Sequence, residues 1–593
     1  MADEELLAQI QQMVTASLVV EESDDRLAFR HALTREAVYS TLLRSERRRF
    51  HMLVAEAMRH THLEHGGMLD AHLADLAYHY YEAEAWEQAL DFAERAGRRA
   101  LSVFAAREAA GHFTRALDSA EHLGVPNRSS LFHARGQALE ALGDFEGARA
   151  DYDEERLCAR DLHDGPGEWQ GLIDLGFLWA GRDYQRTGSY FRQAVELARE
   201  LHNPKIEARS LNRLGNWLAN TGLPAEGIEL HAEALAVFRA RSDRAGEAET
   251  LDLLCFAHGM YGDLVRATAA GDAAVAIFRS LEDQPGLFGT LSMRRAWAGP
   301  ALSETTYAVL SARETLERDS LEIMRLARSL GSPAHLAFAG ITICPQWIAY
   351  GEPGRALALA RESLGIARGI AHQQWMAGLR FCLGCAYFCL LEPELAIDEF
   401  EQGLALARTI GSAWWIGNIT AHLALAYVQQ REYLRADEVL RSAFAPEQGA
   451  RSLPERRMAW AWGELALAQD KPLTALAIAE QLLTSAPAEA LPPDQFIPEL
   501  WKLKAESLSA LGRMEEAQEA LERAKAGAVQ RRALPLLWRV HLALAKLYRE
   551  QKVDEQASRE IAAARELIVT IAASIDEEPE RERFARAAEA SLL

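Results

Sequence analysis

Apolar residues recur three and four positions apart along most of this chain, which is the spacing of an amphipathic helix. Alternating, strand-like patterns are nearly absent beyond residue 30. Many of the predicted helices share a motif. A small residue is followed by a bulky one four positions later and by a second small one after seven, as in Ala109, Phe113 and Ala116. The pattern predicts an all-α fold.

The motif returns at a nearly constant interval, which indicates an array of repeats. Most successive motifs lie 39 or 40 residues apart. After Ala109, the first small residue recurs at Ala148, Thr187, Gly227, Ala267, Ser320, Ala356, Ala396, Ala436, Ala475, Ala517 and Ala557. This regularity predicts about twelve copies of one structural unit.

Each period contains the pattern of two helices. A second small residue stands twelve positions before most of the landmarks, with a large residue three positions after it, as in Gly215 and Leu218. Turn-forming residues such as "TGLPAEG" lie between the two landmarks. Each unit is therefore predicted to be helix, tight turn, helix, with small residues that let the two backbones approach closely.

These units resemble the tetratricopeptide repeat, most clearly in "LKAESLSALGRMEEAQEALERA" (Leu503 to Ala524). Pro487 also falls where that repeat often carries proline. The period is about forty instead of thirty-four residues, which is typical of the sensor arrays in bacterial LuxR-type and maltose-regulator-like transcription regulators. The resemblance implies a right-handed superhelical solenoid over residues 66–570.

One interval is longer than the others. It measures 53 residues, and the extra residues fall near 284–310, "QPGLFGTLSMRRAWAGPALSETTYAVL". Gly299 and Pro300 are predicted to end a helix there. The insertion is interpreted as a binding loop, a hinge or a plain surface excursion.

The first residues carry a different pattern. Residues 5–17 are predicted to form an amphipathic helix, and "LVVEESDDRLAFRH" a β-hairpin around an Asp-rich turn. Helices are predicted from about Thr34 and Arg44. With "FRHALTREAVYSTLL", this order resembles the joint between winged helix and repeats in signal-transducing ATPases, which implies a partial winged-helix remnant at residues 1–65. Residues 571–593 resemble the helical cap that precedes the DNA-binding domain in that family.

The nucleotide-binding part of that family has no counterpart in the sequence. No GxxxxGK[ST] loop occurs, and the dipeptide Gly-Lys is absent, so nothing would cradle the phosphates. The resemblance therefore extends only to the joint and the array, and an ATPase would be a separate partner. Because the winged helix is incomplete, its apolar side chains are expected to be buried against another chain or against the first repeats. These residues are Leu18, Val19, Val20 and Phe29.

Composition and charge exclude further classes of partner. The net charge of −22 argues against a nucleic-acid partner, and the basic patch Arg44, Arg47, Arg48 and Arg49 is interpreted as a solvated helix face. No run of eighteen apolar residues occurs, the first residues are acidic, and six cysteines are too few for a disulfide scaffold. These features predict a cytoplasmic protein without a membrane partner.

Two clusters could hold a metal, but both have simpler interpretations. Cys382, Cys385 and Cys389 share one face of a predicted helix, with Cys344 in the preceding repeat. Cysteine is also a small apolar residue that suits tight helix packing. The histidines of "RHTHLEHGG" and its neighbourhood fit a solvated helix end; they are His60, His62, His65, His72 and His79. We predict no metal and no cofactor.

The first helix of each unit is expected to line a concave groove, as the resemblance implies. One group of inward positions is Arg209, Asn212, Asn216, Asn220, Glu249 and Asp252. A second is Trp460, Glu464, Lys502 and Glu506, extended by Arg539, Lys546 and Arg549. Apolar contacts are expected from Trp179, Phe381 and Phe388. These residues are the predicted ligand-binding set, and ordinary surface polarity is the alternative.

No nucleophile elbow, HExxH motif or dinucleotide fingerprint occurs, so no catalytic residue and no enzyme activity are predicted. The predicted function is a non-enzymatic scaffold that binds a protein, a peptide or a small effector in its groove. It would be the sensor part of a signal-transduction or transcription regulator. The alternative is a free-standing protein–protein adaptor, and a metal-dependent enzyme is the third hypothesis.

Overall fold

The computed structural model describes residues 3–23, 26–64, 72–103, 105–445, 449–487 and 495–592. The described chain is helical almost throughout, with one β-hairpin near its start, and it is an all-α, tetratricopeptide-like solenoid as the sequence predicts.

The elements of the first part, in chain order, are α1 Asp3–Thr15, β1 Val19–Ser23, β2 Arg26–Phe29, α2 Ala32–Thr41, α3 Arg44–Glu64, α4 Leu73–Glu82, α5 Trp86–Ser102, α6 Ala106–His122, α7 Ser129–Ala141, α8 Phe145–Asp161, α9 Gly165–Ala180, α10 Tyr184–Glu200, α11 Pro204–Asn220, α12 Pro224–Ala240, α13 Arg244–Tyr261, α14 Leu264–Ser280 and α15 Gln284–Trp297.

A single 3₁₀ turn follows at Pro300–Leu302, and then come α16 Arg313–Ser329, α17 Pro333–Ala349, α18 Pro353–Gly369, α19 Gln373–Cys389, α20 Pro393–Ile410, α21 Ala413–Gln429, α22 Tyr433–Arg441, α23 Leu453–Ala468, α24 Pro472–Thr484, α25 Pro498–Ala510, α26 Met514–Gln530, α27 Leu534–Glu550, α28 Asp554–Ala573 and α29 Glu578–Leu592.

Many successive repeat helices are joined by very short turns, and the turn between α13 and α14 is an example. Gly262 and Asp263 form the whole connection between α13 and α14. Gly262 has a φ of 96°, a left-handed conformation that lets the Asp263 N–H donate to the His258 carbonyl at 2.9 Å and close α13. The Asp263 carboxylate then accepts from the Arg266 N–H at 3.0 Å and caps α14.

Small residues bring paired helices into backbone contact, as predicted. A Cβ atom placed on Gly227 would lie 2.5 Å from the carbonyl oxygen of Gly215. Any side chain at Gly227 would therefore push α12 away from α11. These two glycines are the small-residue landmarks of one predicted repeat, so the sequence motif marks the positions of closest approach.

The chain divides into two compact units, unit 1 up to Gly171 and unit 2 from Leu172 onward. The boundary lies within α9, inside the predicted array. At the other end, α28 continues to Ala573, past the predicted start of the cap at residue 571. The predicted division into residues 1–65, 66–570 and 571–593 stays a prediction.

Unit 1 contains the predicted helix, hairpin and helix at its start. Strands β1 and β2 pair antiparallel, with Val19 opposite Phe29 and Val20 opposite Ala28, which confirms the hairpin; its predicted Asp-rich turn at residues 24–25 lies outside the described residues. Val19 is buried, whereas Leu18 and Phe29 keep about two fifths of their surface exposed, at 43% and 41%. The hairpin thus buries little apolar surface.

Removal of residues 1–30 is expected to leave the rest of the chain folded, because this segment contributes one buried apolar side chain among the described residues. We expect the free energy of unfolding of unit 2 to change by less than about 1 kcal/mol, measured by urea denaturation. Removal of residues 571–593 is the control. It takes Phe584, Ala588 and Leu592 out of the core and is expected to destabilise unit 2 clearly.

Unit 2 is a tightly wound superhelix. Each helix packs on the next, and odd-numbered helices also pack on one another from α11 to α27. Helices ten apart in sequence meet as well, since α13 contacts α23 and α17 contacts α27. The Ser574 hydroxyl donates to the Gly351 carbonyl at 3.0 Å, which adds a link between distant repeats. About five helix pairs therefore complete one turn, and the interior is narrow.

The inserted segment lies inside this superhelix. Helix α15 ends at Trp297, as the Gly299–Pro300 signal predicts, and the segment up to residue 312 follows. Ser303, Thr305 and Thr306 are fully buried, and the Thr306 hydroxyl donates to the Gly262 carbonyl at 2.6 Å. The interpretation as a surface excursion is therefore wrong.

Three arginines from later repeats hold the inserted segment. Arg456 donates to the Thr305 carbonyl at 2.6 Å and 2.9 Å. Arg457 donates to the Ala301 carbonyl at 3.1 Å, and Arg531 to the Ser303 carbonyl at 2.5 Å. Burial lowers the pKa of Arg456 to about 10, so the guanidinium is still charged at neutral pH.

Candidate functional site

The interior of unit 2 contains a cavity of about 620 Å³. The first helices of six successive helix pairs line it, together with the inserted segment. These helices are α17, α19, α21, α23, α25 and α27. The predicted placement of the first helices on a concave surface thus holds for this stretch, and the volume falls in the range of small-molecule sites.

Helices α17, α19 and α21 give the cavity an apolar surface. Ile348 comes from α17, Phe381 and Phe388 from α19, and Leu425 and Val428 from α21. Phe381 and Phe388 are the two residues of the predicted apolar set that reach the cavity. Such a surface favours the apolar part of a ligand, because its burial removes apolar area from water.

Helices α23 and α25 bring a charged surface. Lys502 Nζ lies 2.7 Å from Glu506 Oε2, and the Trp460 indole N–H donates to Glu464 at 3.3 Å. Burial raises the pKa of Glu464, and Lys502 opposes part of this shift. Burial alone would lower the pKa of Lys502, but Glu506 and Glu464 hold it above its usual value. All four residues belong to the predicted ligand-binding set.

Helix α27 contributes two further cations, Arg539 and Lys546. The Arg539 guanidinium lies 5.5 Å from the ring centre of Phe388 and 5.6 Å from that of Trp538. Burial lowers the pKa of Arg539. In the described part of the chain, neither cation has a carboxylate within ion-pair distance, in contrast to Lys502. Arg549, the last residue of the predicted stripe, does not line the cavity.

The inserted segment adds Glu304. This carboxylate pairs with Arg457 and lies 3.8 Å from His422 Nε2. Burial alone would raise the pKa of Glu304, but Arg457 and His422 outweigh it and hold the pKa below its usual value. The negative charge of Glu304 is therefore stabilised by Arg457 and His422.

Glu499 is a lining carboxylate whose negative charge is strongly disfavoured by burial. Its Oε2 atom is buried and has no hydrogen-bond partner among the residues that the structure describes. Burial raises the pKa of Glu499 to about 8, although Arg531 opposes the shift. Its carboxyl group is therefore largely protonated at neutral pH.

The first predicted group lies elsewhere in unit 2, on α11 and α13. The Asn212 amide donates to Thr250 at 2.8 Å and its oxygen lies 3.0 Å from His231, so Asn212 is part of the core. Glu249 forms an ion pair with Arg213. The remaining four do not line the described cavity; they are Arg209, Asn216, Asn220 and Asp252. A ligand-binding role for either group stays a prediction.

Sequence reasoning missed three ionisable residues of the cavity, Glu304, His422 and Glu499. Glu499 stands three positions before Lys502, one helical turn away on the same face, so the groove pattern could have found it. Glu304 lies in the insertion, where no repeat position applies. Its place depends on contacts with Arg457, 153 residues later.

Cys344 of α17 and Cys382 of α19 are buried in the helix packing, whereas Cys385 and Cys389 of α19 line the cavity. Cys344 donates weakly to the Ala356 carbonyl at 3.4 Å, and Cys382 to the Ile341 carbonyl at 3.8 Å. Burial raises the pKa of the Cys344, Cys382, Cys385 and Cys389 thiols. The groups therefore stay protonated, which disfavours the thiolate form that binds metals.

The basic and histidine-rich segments lie in unit 1. Arg44 and Arg48 form ion pairs with Glu84, the first at 2.7 Å, so part of the basic patch is neutralised. His79 Nδ1 lies 2.8 Å from His51 Nδ1.

His60 is exposed and His72 lies 3.7 Å from Asp75. His65 and the side chain of His62 lie outside the described residues.

Comparison with known proteins supports the repeat assignment. Residues 498–526 match the model of the tetratricopeptide repeat family, and they overlap the clearest predicted repeat, Leu503 to Ala524. No curated protein matches the sequence.

Solved structures with a similar fold include the APC/C hetero-tetramer Cut9-Hcn1 and yeast Tom70. The first shows 14% identity and a TM-score of 0.33 over 84% of this chain and 96% of the other. Yeast Tom70 shows 13% identity and a TM-score of 0.33 over 85% of this chain and 96% of the other. Pseudomonas aeruginosa pilF shows 18% identity and a TM-score of 0.26 over 43% of this chain and 99% of the other.

Among the described residues, every helix is too short or too polar to serve as a transmembrane segment.

Proposed function

We propose that unit 2 is a non-enzymatic receptor module that takes up a small ligand in the interior of its superhelix. The observation that supports this most is the cavity of about 620 Å³, which joins an apolar surface to a charged one. Binding pockets typically combine an apolar lining with a few polar groups that orient the ligand.

The proposal extends to a sensor role in a signal-transduction or transcription regulator. Each repeat of a solenoid contacts mainly its neighbours, so small changes at each interface add up along the array. A ligand that contacts six successive first helices would bias the winding of unit 2. A protein or peptide partner, including a separate ATPase, would then read this change.

Uptake of a neutral apolar probe tests the cavity itself. N-phenyl-1-naphthylamine is expected to bind the full chain with a rise in fluorescence and a stoichiometry of one. Ala543→Trp places an indole in the cavity lining and is expected to weaken probe binding about tenfold or more. The measurement is a fluorescence titration at fixed protein concentration.

Ala562→Trp is the matched control. Ala562 is exposed on α28 and does not line the cavity, so this variant is expected to bind like the wild type. Equal binding to both tryptophan variants would mean that the probe sits elsewhere. That result would favour the second candidate, a protein–protein adaptor that uses the outer surface of the repeats.

A further inference from the structure

The charges that line the cavity of unit 2 do not cancel. Glu506 is paired with Lys502 at 2.7 Å, and Glu304 is paired with Arg457. Two carboxyl groups, Glu464 and Glu499, remain. Burial raises the pKa of Glu464, and it raises the pKa of Glu499 to about 8, so Glu499 carries little negative charge at neutral pH.

The remaining cations are less closely compensated: Arg539 is attracted by Glu464 and Glu506 without forming an ion pair with either. Arg539 and Lys546 stand seven positions apart on α27, so they point from one face of the helix about two turns apart. Neither has an ion-pair partner in the described part of the chain. The cavity therefore carries a positive surplus beside its apolar surface, and this surplus is complementary to an anion.

Arg539 lies where the two surfaces meet. Its guanidinium packs near the rings of Phe388 on α19 and Trp538 on its own helix. Aromatic contacts restrain the side chain and leave its N–H donors without a hydrogen-bond partner among the described residues. A planar guanidinium with free donors is suited to a carboxylate, which accepts two parallel hydrogen bonds.

We propose that the cavity binds a small organic carboxylate, with the anionic end on Arg539 and the apolar body against Phe388 and the apolar residues of α17, α19 and α21. This inference rests on the proposed function, since it names the ligand class of the same cavity. Lys546 lies toward the next turns of α27 and adds to the attraction of the anion without contacting its apolar body.

Three probes of matched size separate charge from shape. They are 4-phenylbutyrate, 4-phenylbutan-1-ol and 4-phenylbutylamine, titrated into the full chain by isothermal titration calorimetry at pH 7. The carboxylate is expected to bind about tenfold or more tightly than the alcohol, and the amine most weakly. Tightest binding of the amine would overturn the proposal, because the cavity would then select cations through Glu464 and Glu499.

The substitution Arg539→Gln identifies the anchoring group. It is expected to reduce the affinity for the carboxylate about tenfold or more and to leave that for the alcohol within about threefold. The alcohol thus reports that the variant is folded with its cavity intact. Arg549→Gln, on the same helix but outside the cavity, is expected to change neither affinity. A carboxylate preference that survives Arg539→Gln would overturn the assignment.

The same titrations distinguish this inference from the proposed function. If all three probes bind equally well, the cavity is a binding site but does not select carboxylates, and only the inference fails. If none of the three binds and the neutral fluorescent probe is also excluded, both fail.

Discussion

Replacement of Arg531 by methionine is expected to lower the free energy of unfolding of unit 2 by about 3 kcal/mol. Arg531 follows α26 and is 5% exposed. It donates to the Ser303 carbonyl at 2.5 Å, to the Ser303 hydroxyl at 2.8 Å and to the Phe496 carbonyl at 2.9 Å. Methionine fills much of the same space but donates no hydrogen bond.

The expected loss of stability comes from the buried carbonyl groups that Arg531 no longer bonds in the variant. Buried carbonyl groups without a donor cost about 1 to 3 kcal/mol each, and the inserted segment has few other partners at Ser303. The removal of a buried charge offsets part of the loss, because the guanidinium no longer has to be desolvated. We therefore expect a large effect, although smaller than the sum over the lost hydrogen bonds.

Urea denaturation followed by circular dichroism measures this effect, with Arg532→Gln as the control. Arg532 is the next residue along the chain; its side chain is 58% exposed and forms an ion pair with Glu314 at 3.3 Å. Exposed pairs contribute little, so the control is expected to stay within about 0.5 kcal/mol of the wild type. Similar values for both variants would contradict the role given to the inserted segment.

The local architecture could be predicted from the sequence because its cause is local. The small residues of the repeat motif, such as Gly215 and Gly227, act between helices that are neighbours in the chain, and their spacing records that contact directly. The first-helix positions Trp460, Glu464, Lys502 and Glu506 follow from the same register. These four line one cavity, together with Phe381, Phe388, Arg539 and Lys546 of the predicted set.

The position of the inserted segment inside the superhelix could not be predicted, because it depends on contacts between residues far apart in the sequence. The turn of about five helix pairs results from small rotations that accumulate between repeats. The inserted segment is held by arginines 151 and 228 residues further along the chain, through the bonds from Arg456 to Thr305 and from Arg531 to Ser303. In the sequence, such arginines cannot be told from those of a solvated helix face.

Glu499 is expected to make the stability of unit 2 fall as the pH rises. The folded-state pKa of about 8 lies above the usual value of 4.5. Between these values the folded chain keeps a proton that the unfolded chain has lost. The stabilisation is complete below about pH 4.5 and is lost as the pH rises through 8, with a total of about 5 kcal/mol.

Glu499→Gln removes this titration and retains a polar side chain of the same shape. We expect the free energy of unfolding of the variant, relative to the wild type, to increase from pH 5 to about pH 8 and then to level off. The effect is read as a difference between variant and wild type, since burial also raises the pKa of Glu464, which contributes a slope of the same sign.

Glu515→Gln, at an exposed position of α26, controls for the loss of one carboxylate from an acidic chain. A flat difference for Glu499→Gln would mean that Glu499 is ionised throughout this range. The positive surplus of the cavity would then be smaller by one charge. The pH profile of this variant therefore tests, without any ligand, the electrostatic premise on which carboxylate selection depends.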